Sequence, residues 1–210
     1  MSERGRFRLG VLVSGRGTNL QAILDAIQRG ELNAEVALVV SNRPEAYALR
    51  RAAQRGVPTV VVERRAYPSR REQHMAIAEA LRQAGVDLVV LAGFDQVLHP
   101  DFVKAFPMRI INIHPSLLPA FGGGLHAQAD AWAYGVKVSG CTVHFVTEEV
   151  DAGPIILQAA VPVLDDDTPE TLAARILEQE HRILPQAIAL IAQGALRIEG
   201  RRVLRCKDAR

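Results

Sequence analysis

Sulfur is scarce in this chain, which carries only two cysteines, Cys141 and Cys206, far apart and in no Cys-x-x-Cys arrangement. Neither a disulfide framework nor a Cys/His zinc site can be written from them, and both read as reduced, non-catalytic thiols. No histidine pair has metal-ligand spacing, so no metal is expected. An excess of one charge is lacking too: 25 Lys plus Arg stand against 23 Asp plus Glu, a formal net charge of +2. That balance argues against a nucleic-acid backbone or an anionic membrane as the main partner. Lysine is nearly absent, only Lys104, Lys137 and Lys207, so the cations are overwhelmingly arginine. Long apolar runs are also missing. Behind the charged start Met1-Ser-Glu-Arg-Gly-Arg6 comes only Leu9 to Val13, too short for a signal h-region or a membrane span. A soluble, cytoplasmic protein is the expectation.

What is present is ordinary globular material, 210 residues with 49% apolar and 23% charged side chains. A chain of this length buries enough surface to fold without a metal or a disulfide. Through the first half, continuous apolar runs alternate with amphipathic segments. The runs are Leu9–Val13, Glu35–Val40, Val57–Val62, Val86–Leu91 and Arg109–Ile113. The helical segments carry Leu20, Ile23, Leu24 and Ile27, then Glu45–Arg55, then Met75, Ile77, Ala78 and Leu81 behind Pro68-Ser69. Strands that are apolar on both faces, each followed by a helix, predict an α/β fold with an open, doubly wound, mostly parallel sheet.

After residue 135 the pattern changes. Val138–Val146 and Ile155–Val163 are long strands with no helix between them, which predicts antiparallel additions in the C-terminal half. Thr168-Pro169-Glu170 opens a helix running to about Gln193, which Pro185 kinks or divides. The three acids Asp165, Asp166 and Asp167 read as a solvated cluster favoured by the helix dipole. Leu196–Leu204 reads as a hairpin turning at Glu199-Gly200. A single domain over 1–210 is expected, with a phosphate-binding half over about 1–100, a catalytic half over about 101–195 and a tail hairpin over 196–210.

In an open α/β sheet, ligands sit beyond the carboxyl ends of the strands. The first such turn is Ser14-Gly-Arg-Gly-Thr-Asn19, leading straight into a helix. Glycines let backbone approach an anion, and the first N–H groups of a helix lack internal partners. The turn is not a P-loop, since no Gly-Lys-Ser/Thr follows. It is not a dinucleotide fingerprint either: Leu20 stands where the third glycine belongs, and the second strand ends in Val40-Ser-Asn42 without the ribose-binding acid. NAD is therefore not expected, and a phosphate monoester fits better. The competing reading is a tight turn with Thr18 as a helix cap.

The fifth strand ends in Asn112-Ile-His114-Pro115. Positions i and i+2 share a face, so Asn112 and His114 project together. Amide and imidazolium donors side by side can stabilise an oxyanion, and a carboxylate nearby favours the protonated ring. Asp151, in the loop beside Gly153-Pro154, is the candidate, with a solvated turn aspartate as the alternative. His114 itself reads as catalytic or as structural, whereas His74, His99 and His126 read as structural. There is no Gly-x-Ser-x-Gly elbow.

Several motifs occur in order: Ser14-Gly-Arg-Gly-Thr-Asn-Leu20, Leu91-Ala-Gly-Phe94, Asn112-Ile-His-Pro-Ser-Leu-Leu-Pro119, Gly140-Cys-Thr-Val-His-Phe-Val146 and Asp151-Ala-Gly-Pro-Ile-Ile156. Together they resemble the phosphoribosylglycinamide formyltransferases, folate-dependent enzymes of purine biosynthesis, over about residues 8–195. The resemblance implies 10-formyltetrahydrofolate as co-substrate and phosphoribosylglycinamide as formyl acceptor. It implies that Asn112 and His114 act on the formyl carbon while Asp151 helps His114 hold a proton. Gly17, Thr18 and Asn19 would hold the substrate phosphate, and Glu180 would help bind the glycinamide nucleotide. Arg70, the segment Asp95-Gln96-Val97-Leu98, Asn112 and the loop Thr147-Glu148-Glu149-Val150-Asp151 would surround the folate. The family commonly has Met-Arg-x-Leu where Asp95–Leu98 stands. The loop after Pro119, Ala-Phe-Gly-Gly-Gly-Leu-His126, is also richer in glycine than usual.

Formyltetrahydrofolate hydrolase and methionyl-tRNA formyltransferase share the Asn/His/Asp constellation. The first carries an N-terminal regulatory domain, but here the first strand starts by residue 9. The second carries a C-terminal barrel that meets tRNA, and too few residues follow 165 to build one. A non-catalytic module binding a phosphorylated metabolite is the alternative outside enzymes. The partners expected are small-molecule substrates, with no nucleic acid and no membrane, and the chain as a monomer or weak homodimer.

Overall fold

A run of consecutive apolar side chains must be covered on both faces, and the run Leu9–Val13 of β1 (Phe7–Val13) is: Leu9, Val11, Leu12 and Val13 are completely buried. The computed structural model describes residues 5–206; the charged start at 1–4 and the last four residues of the expected tail, 207–210, lie outside them. The chain divides into two compact units, Met1–Ile111 and Asn112–Arg210.

In the first unit, β1, β2 (Ala34–Ser41), β3 (Thr59–Val61) and β4 (Leu88–Leu91) alternate with α1 (Thr18–Gln28), α2 (Tyr47–Gln54) and α3 (Arg70–Gln83), and α4 (Pro100–Ala105) follows. Strand β1 pairs in parallel with both β2 and β4, and β2 pairs in parallel with β3. Helix α1 buries Leu20, Ile23 and Leu24, each contributing roughly 1.5–3 kcal/mol of transfer free energy before ordering costs. Helix α3 starts at Ser69, whose hydroxyl accepts the Glu72 N–H. Its core face carries Ile77, Ala78 and Leu81 as the periodicity predicts, but also Gln73 and His74, both fully buried. Met75, expected on that face, is only half-buried.

Strand β5 (Ile110–His114) spans the boundary. The second unit continues with α5 (Ala127–Tyr134), β6 (Val138–Phe145), β7 (Ile155–Pro162), α6 (Pro169–Ala192), β8 (Leu196–Glu199) and β9 (Arg202–Arg205). Strands β6 and β7 are antiparallel, from Val138 opposite Pro162 to His144 opposite Ile155. Strands β8 and β9 form an antiparallel hairpin, and β9 meets β7 in parallel at Arg202 and Ile155. The fold is therefore α/β, mostly parallel, with antiparallel strands added in the C-terminal half.

Thr168 caps α6, its hydroxyl accepting the Thr171 N–H while the Thr171 hydroxyl accepts the Thr168 N–H. The helix continues through Pro185 without dividing. An interior proline costs about 3 kcal/mol, and burial of Leu172, Ile176, Ile183, Leu184, Ala187 and Ile188 offsets that cost. Asp167 corrects the solvated-cluster reading of the three acids. It is buried, its carboxylate accepting two hydrogen bonds from Arg175, one from the Thr171 hydroxyl and one from the Leu164 N–H. These donors hold its carboxyl far below the usual range despite the opposing effect of burial.

The turn between β1 and α1 depends on Gly17. Its φ of 74° is left-handed, and a Cβ there would stand 2.5 Å from the Cβ of Ala48 on α2. Gly17, not Thr18, is the N-cap of α1, and no side-chain cap is made. We expect Gly17→Ala to lower stability by about 1–3 kcal/mol, read from the midpoint of urea unfolding. An unchanged midpoint would contradict this account of the turn.

Candidate active site

Asp151 is the junction of a cluster in the second unit. Its φ of 52° is left-handed, a conformation that aspartate tolerates better than most residues. Gly153 lets the chain press against β6, for a Cβ there would stand 1.8 Å from the Phe145 carbonyl oxygen. The resulting bend turns the Asp151 carboxylate inward, leaving its side chain 12% exposed. One oxygen lies 3.5 Å from His114 Nδ1 and accepts the Gly123 N–H at 2.8 Å. The other lies 3.7 Å from His144 Nε2.

His114, at the carboxyl end of β5, is buried, and its Nε2 donates to the Phe121 carbonyl at 3.0 Å. Both ring nitrogens thus face oxygen atoms. His144 behaves differently. Its Nδ1 donates to the Phe145 carbonyl at 3.0 Å, so its Nε2 carries the lone pair. That nitrogen accepts from the Asn112 amide at 3.3 Å, which fixes the NH2 end of Asn112 toward the cluster. Burial pushes the His144 pKa down, against the opposing pull of the Phe145 carbonyl and of Asp151. The neutral ring is the form that keeps Asn112 oriented.

Asn112, His114 and Asp151 are therefore brought together, with His144 as the link between amide and carboxylate. His144 stands in the Gly140–Val146 motif, with no role expected of it from the sequence. The available signal is the one applied to Asn112 and His114, a polar side chain at the end of a strand that is otherwise apolar and buried.

Residues 7–188 match the family model described as formyl transferase. The chain belongs to the formyl transferase family. It is 44% identical over 192 residues to phosphoribosylglycinamide formyltransferase of Haemophilus influenzae, covering 91% of this chain and 90% of that one. It is 46% identical over 196 residues to the trifunctional purine biosynthetic protein adenosine-3 of Gallus gallus, of whose length the match spans only 19%. Among solved structures, it resembles glycinamide ribonucleotide transformylase 1 from Symbiobacterium toebii, with 57% identity and a TM-score of 0.94 over 96% of this chain and 95% of that one.

In this formyl transferase, the other residues singled out from the sequence fall in both units. In the second, Glu180 is buried on α6, Thr147 is half-buried, and Glu148, Glu149 and Val150 are exposed. Cys141, near Glu180, is buried, and burial followed by the Glu180 charge pushes its thiol up to about 12, which keeps it from acting as a nucleophile. In the first unit, Thr18 and Asn19 open α1 behind Gly17, and no carboxylate stands in that first turn to compete with an anion. The acceptors of the preceding turn are committed to α2, the Gly15 carbonyl to the Ala48 N–H and the Arg16 carbonyl to Arg51. Arg70 is the exposed first residue of α3.

After β4, Val97 is exposed, Gln96 half-buried and Leu98 buried. Asp95 turns its carboxylate to Arg43, to Asn42 at 2.7 Å and to the Ser14 hydroxyl at 3.0 Å, and that hydroxyl accepts the Asp95 N–H. Burial opposes the charge, yet these donors hold the carboxyl below its usual range. Asp95 therefore ties together the carboxyl ends of β1, β2 and β4.

Burial also holds the His74 pKa below the ordinary value. In the unfolded chain, His74 and His144 take up protons near pH 6.5; in the fold they do so only at lower pH. Between those values the unfolded state binds more protons, so stability falls as pH drops through the window. Urea midpoints should fall between about pH 7.5 and about pH 5.5, and the drop should be smaller in His144→Asn. A variant with the same pH dependence as the parent would remove His144 from this account.

Proposed function

We propose that this formyl transferase moves the formyl group of 10-formyltetrahydrofolate to the amine of 5-phosphoribosylglycinamide, giving the formylated ribonucleotide and tetrahydrofolate in de novo purine biosynthesis. The observation that carries the reading is the cluster of Asn112, His114 and Asp151: two N–H donors beside one carboxylate, on a buried strand end and a strained turn. The name of the Haemophilus influenzae relative, matched over nine-tenths of both chains, supports it.

In this mechanism the ribonucleotide amine attacks the formyl carbon and forms the new C–N bond. The carbonyl oxygen becomes an oxyanion, met by the Asn112 amide and His114 Nε2. One such donor is worth about 2.7–4 kcal/mol in a transition state. The formyl oxygen competes with the Phe121 carbonyl for the His114 Nε2 proton. The bond from the formyl carbon to folate N10 then breaks. The amine proton passes to the departing nitrogen through water held by Asp151, whose charge also stabilises the imidazolium. Gly17, Thr18 and Asn19 grip the ribonucleotide phosphate, and Glu180 contributes to the nucleotide site. Arg70, residues 95–98, Asn112 and residues 147–151 take the folate. Both substrates are small molecules, and the chemistry requires no metal or nicotinamide.

Asp151→Asn and His114→Ala should each lower kcat by roughly 10²–10⁴-fold, with circular dichroism showing a retained fold. Near-parental turnover in either variant removes that residue from the mechanism. Inorganic phosphate should compete with the ribonucleotide and not with the folate; competition with the folate would contradict the phosphate assignment. The overall reading is tested by following tetrahydrofolate release with and without the ribonucleotide. Release only with the nucleotide is expected. Equal release without it would make the chain a hydrolase, and none in either case a binding module.

A further inference from the structure

His74 sits fully buried on the core face of α3, outside the cluster around Asp151. Phe94 and Phe102 flank its ring, with centroids 6.2 and 6.3 Å away. Its two nitrogens have different partners. Nδ1 lies 3.0 Å from the backbone nitrogen of His99, a group that can only donate. Nδ1 must therefore carry the lone pair, and the ring proton sits on Nε2. Nε2 lies 3.2 Å from the side-chain oxygen of Gln96. The imidazole is a donor there, so the Gln96 carboxamide must offer oxygen to it. The NH2 end of Gln96 is thereby turned away from His74, on a residue that is half-buried between exposed Asp95 and exposed Val97. Arg70 lies one helical turn before His74 on α3, on the same side of the helix.

We infer that His74 is a positioning residue that presets the Gln96 carboxamide, so that its NH2 group donates to a hydrogen-bond acceptor of the folate. The inference rests on the folate reading above and goes beyond it, because it assigns the direction of one side chain and the buried group that sets it. The Nε2–Gln96 bond selects donor over acceptor at this point of the segment. A glutamate at position 96 would still satisfy His74 and would have no N–H to offer. His74 also takes the His99 N–H, so one ring holds both the side chain at 96 and the backbone entering α4.

Two variants separate these bonds. Gln96→Glu keeps an oxygen for His74 and removes the NH2 donor. His74→Asn leaves an oxygen where Nδ1 stood, able to accept the His99 N–H, and removes the group that reaches Gln96. The probe is 10-formyltetrahydrofolate, its Kd read by calorimetry without ribonucleotide, with thermal unfolding and ring 15N shifts measured in the ligand-free protein. Each variant should weaken folate binding by roughly tenfold, the loss of one good hydrogen bond, with ribonucleotide affinity and melting temperature little changed. The double variant should be no weaker than Gln96→Glu alone, and the His74 shifts should be those of a neutral ring protonated at Nε2.

Unchanged folate affinity in Gln96→Glu, fully additive losses in the double variant, or an Nδ1-protonated ring would each overturn the inference. A parent protein that binds the folate and transfers nothing would instead fail the functional reading, with the binding arms of this test still deciding the role of His74. Should His74→Asn not fold, Gln96→Glu and the ring shifts of the parent decide it.

Discussion

The cluster in the second unit depends on one carboxylate held in a backbone conformation that most residues avoid. The left-handed turn at Asp151 costs about 1–2 kcal/mol, whereas a hydrogen bond to a charged group returns roughly 1.5–3 kcal/mol. The Gly123 N–H alone can offset the strain, and the His114 ring stands beside the same oxygen. Gly153 makes the geometry possible, since any side chain there would collide with the carbonyl of Phe145. Asp151 in turn gives the two histidines unequal tasks. His114 faces oxygen on both sides, while His144 is tied through Nδ1 to a carbonyl and offers its lone pair to Asn112. A single acid thereby stands beside both the ring that faces oxygen on two sides and the ring that orients the amide.

The first unit uses polar bonds in the same way, to aim short segments at the ends of parallel strands. Asp95 ties the ends of β1, β2 and β4 through Ser14, Asn42 and Arg43, and His74 secures the following residues through Gln96 and the His99 backbone. Residues 95–98 are thereby anchored at both ends.

Much of this was legible before any coordinates. Short apolar runs without alternation, bounded by turn residues and followed by amphipathic segments, read as buried strands, so the parallel β1, β2 and β4 and their helices follow from the sequence. The paired face of Asn112 and His114 follows from the two-residue repeat of a strand. The remainder was hidden for definable reasons. Helix α4 has only six residues, too few turns for a periodic signal. His74 reads as structural from the sequence, but its partners, and those of Gln73, are invisible there: Val62, Gln96 and His99 supply them only in the fold. Asp167 resembles its solvated neighbours in sequence, and only the approach of Arg175 from two turns along α6 distinguishes it. Pro185 signals a break, and the helix survives because its apolar face is long enough to offset one missing hydrogen bond.

The most direct test of the account is a crystal structure with a non-reactive formyl-folate analogue and the ribonucleotide bound together. The formyl oxygen should lie within about 3 Å of both the Asn112 amide nitrogen and His114 Nε2, in place of the Phe121 carbonyl, with Asp151 still beside the His114 ring. A formyl group bound away from these donors, or Asp151 swung out to solvent in that complex, would contradict it.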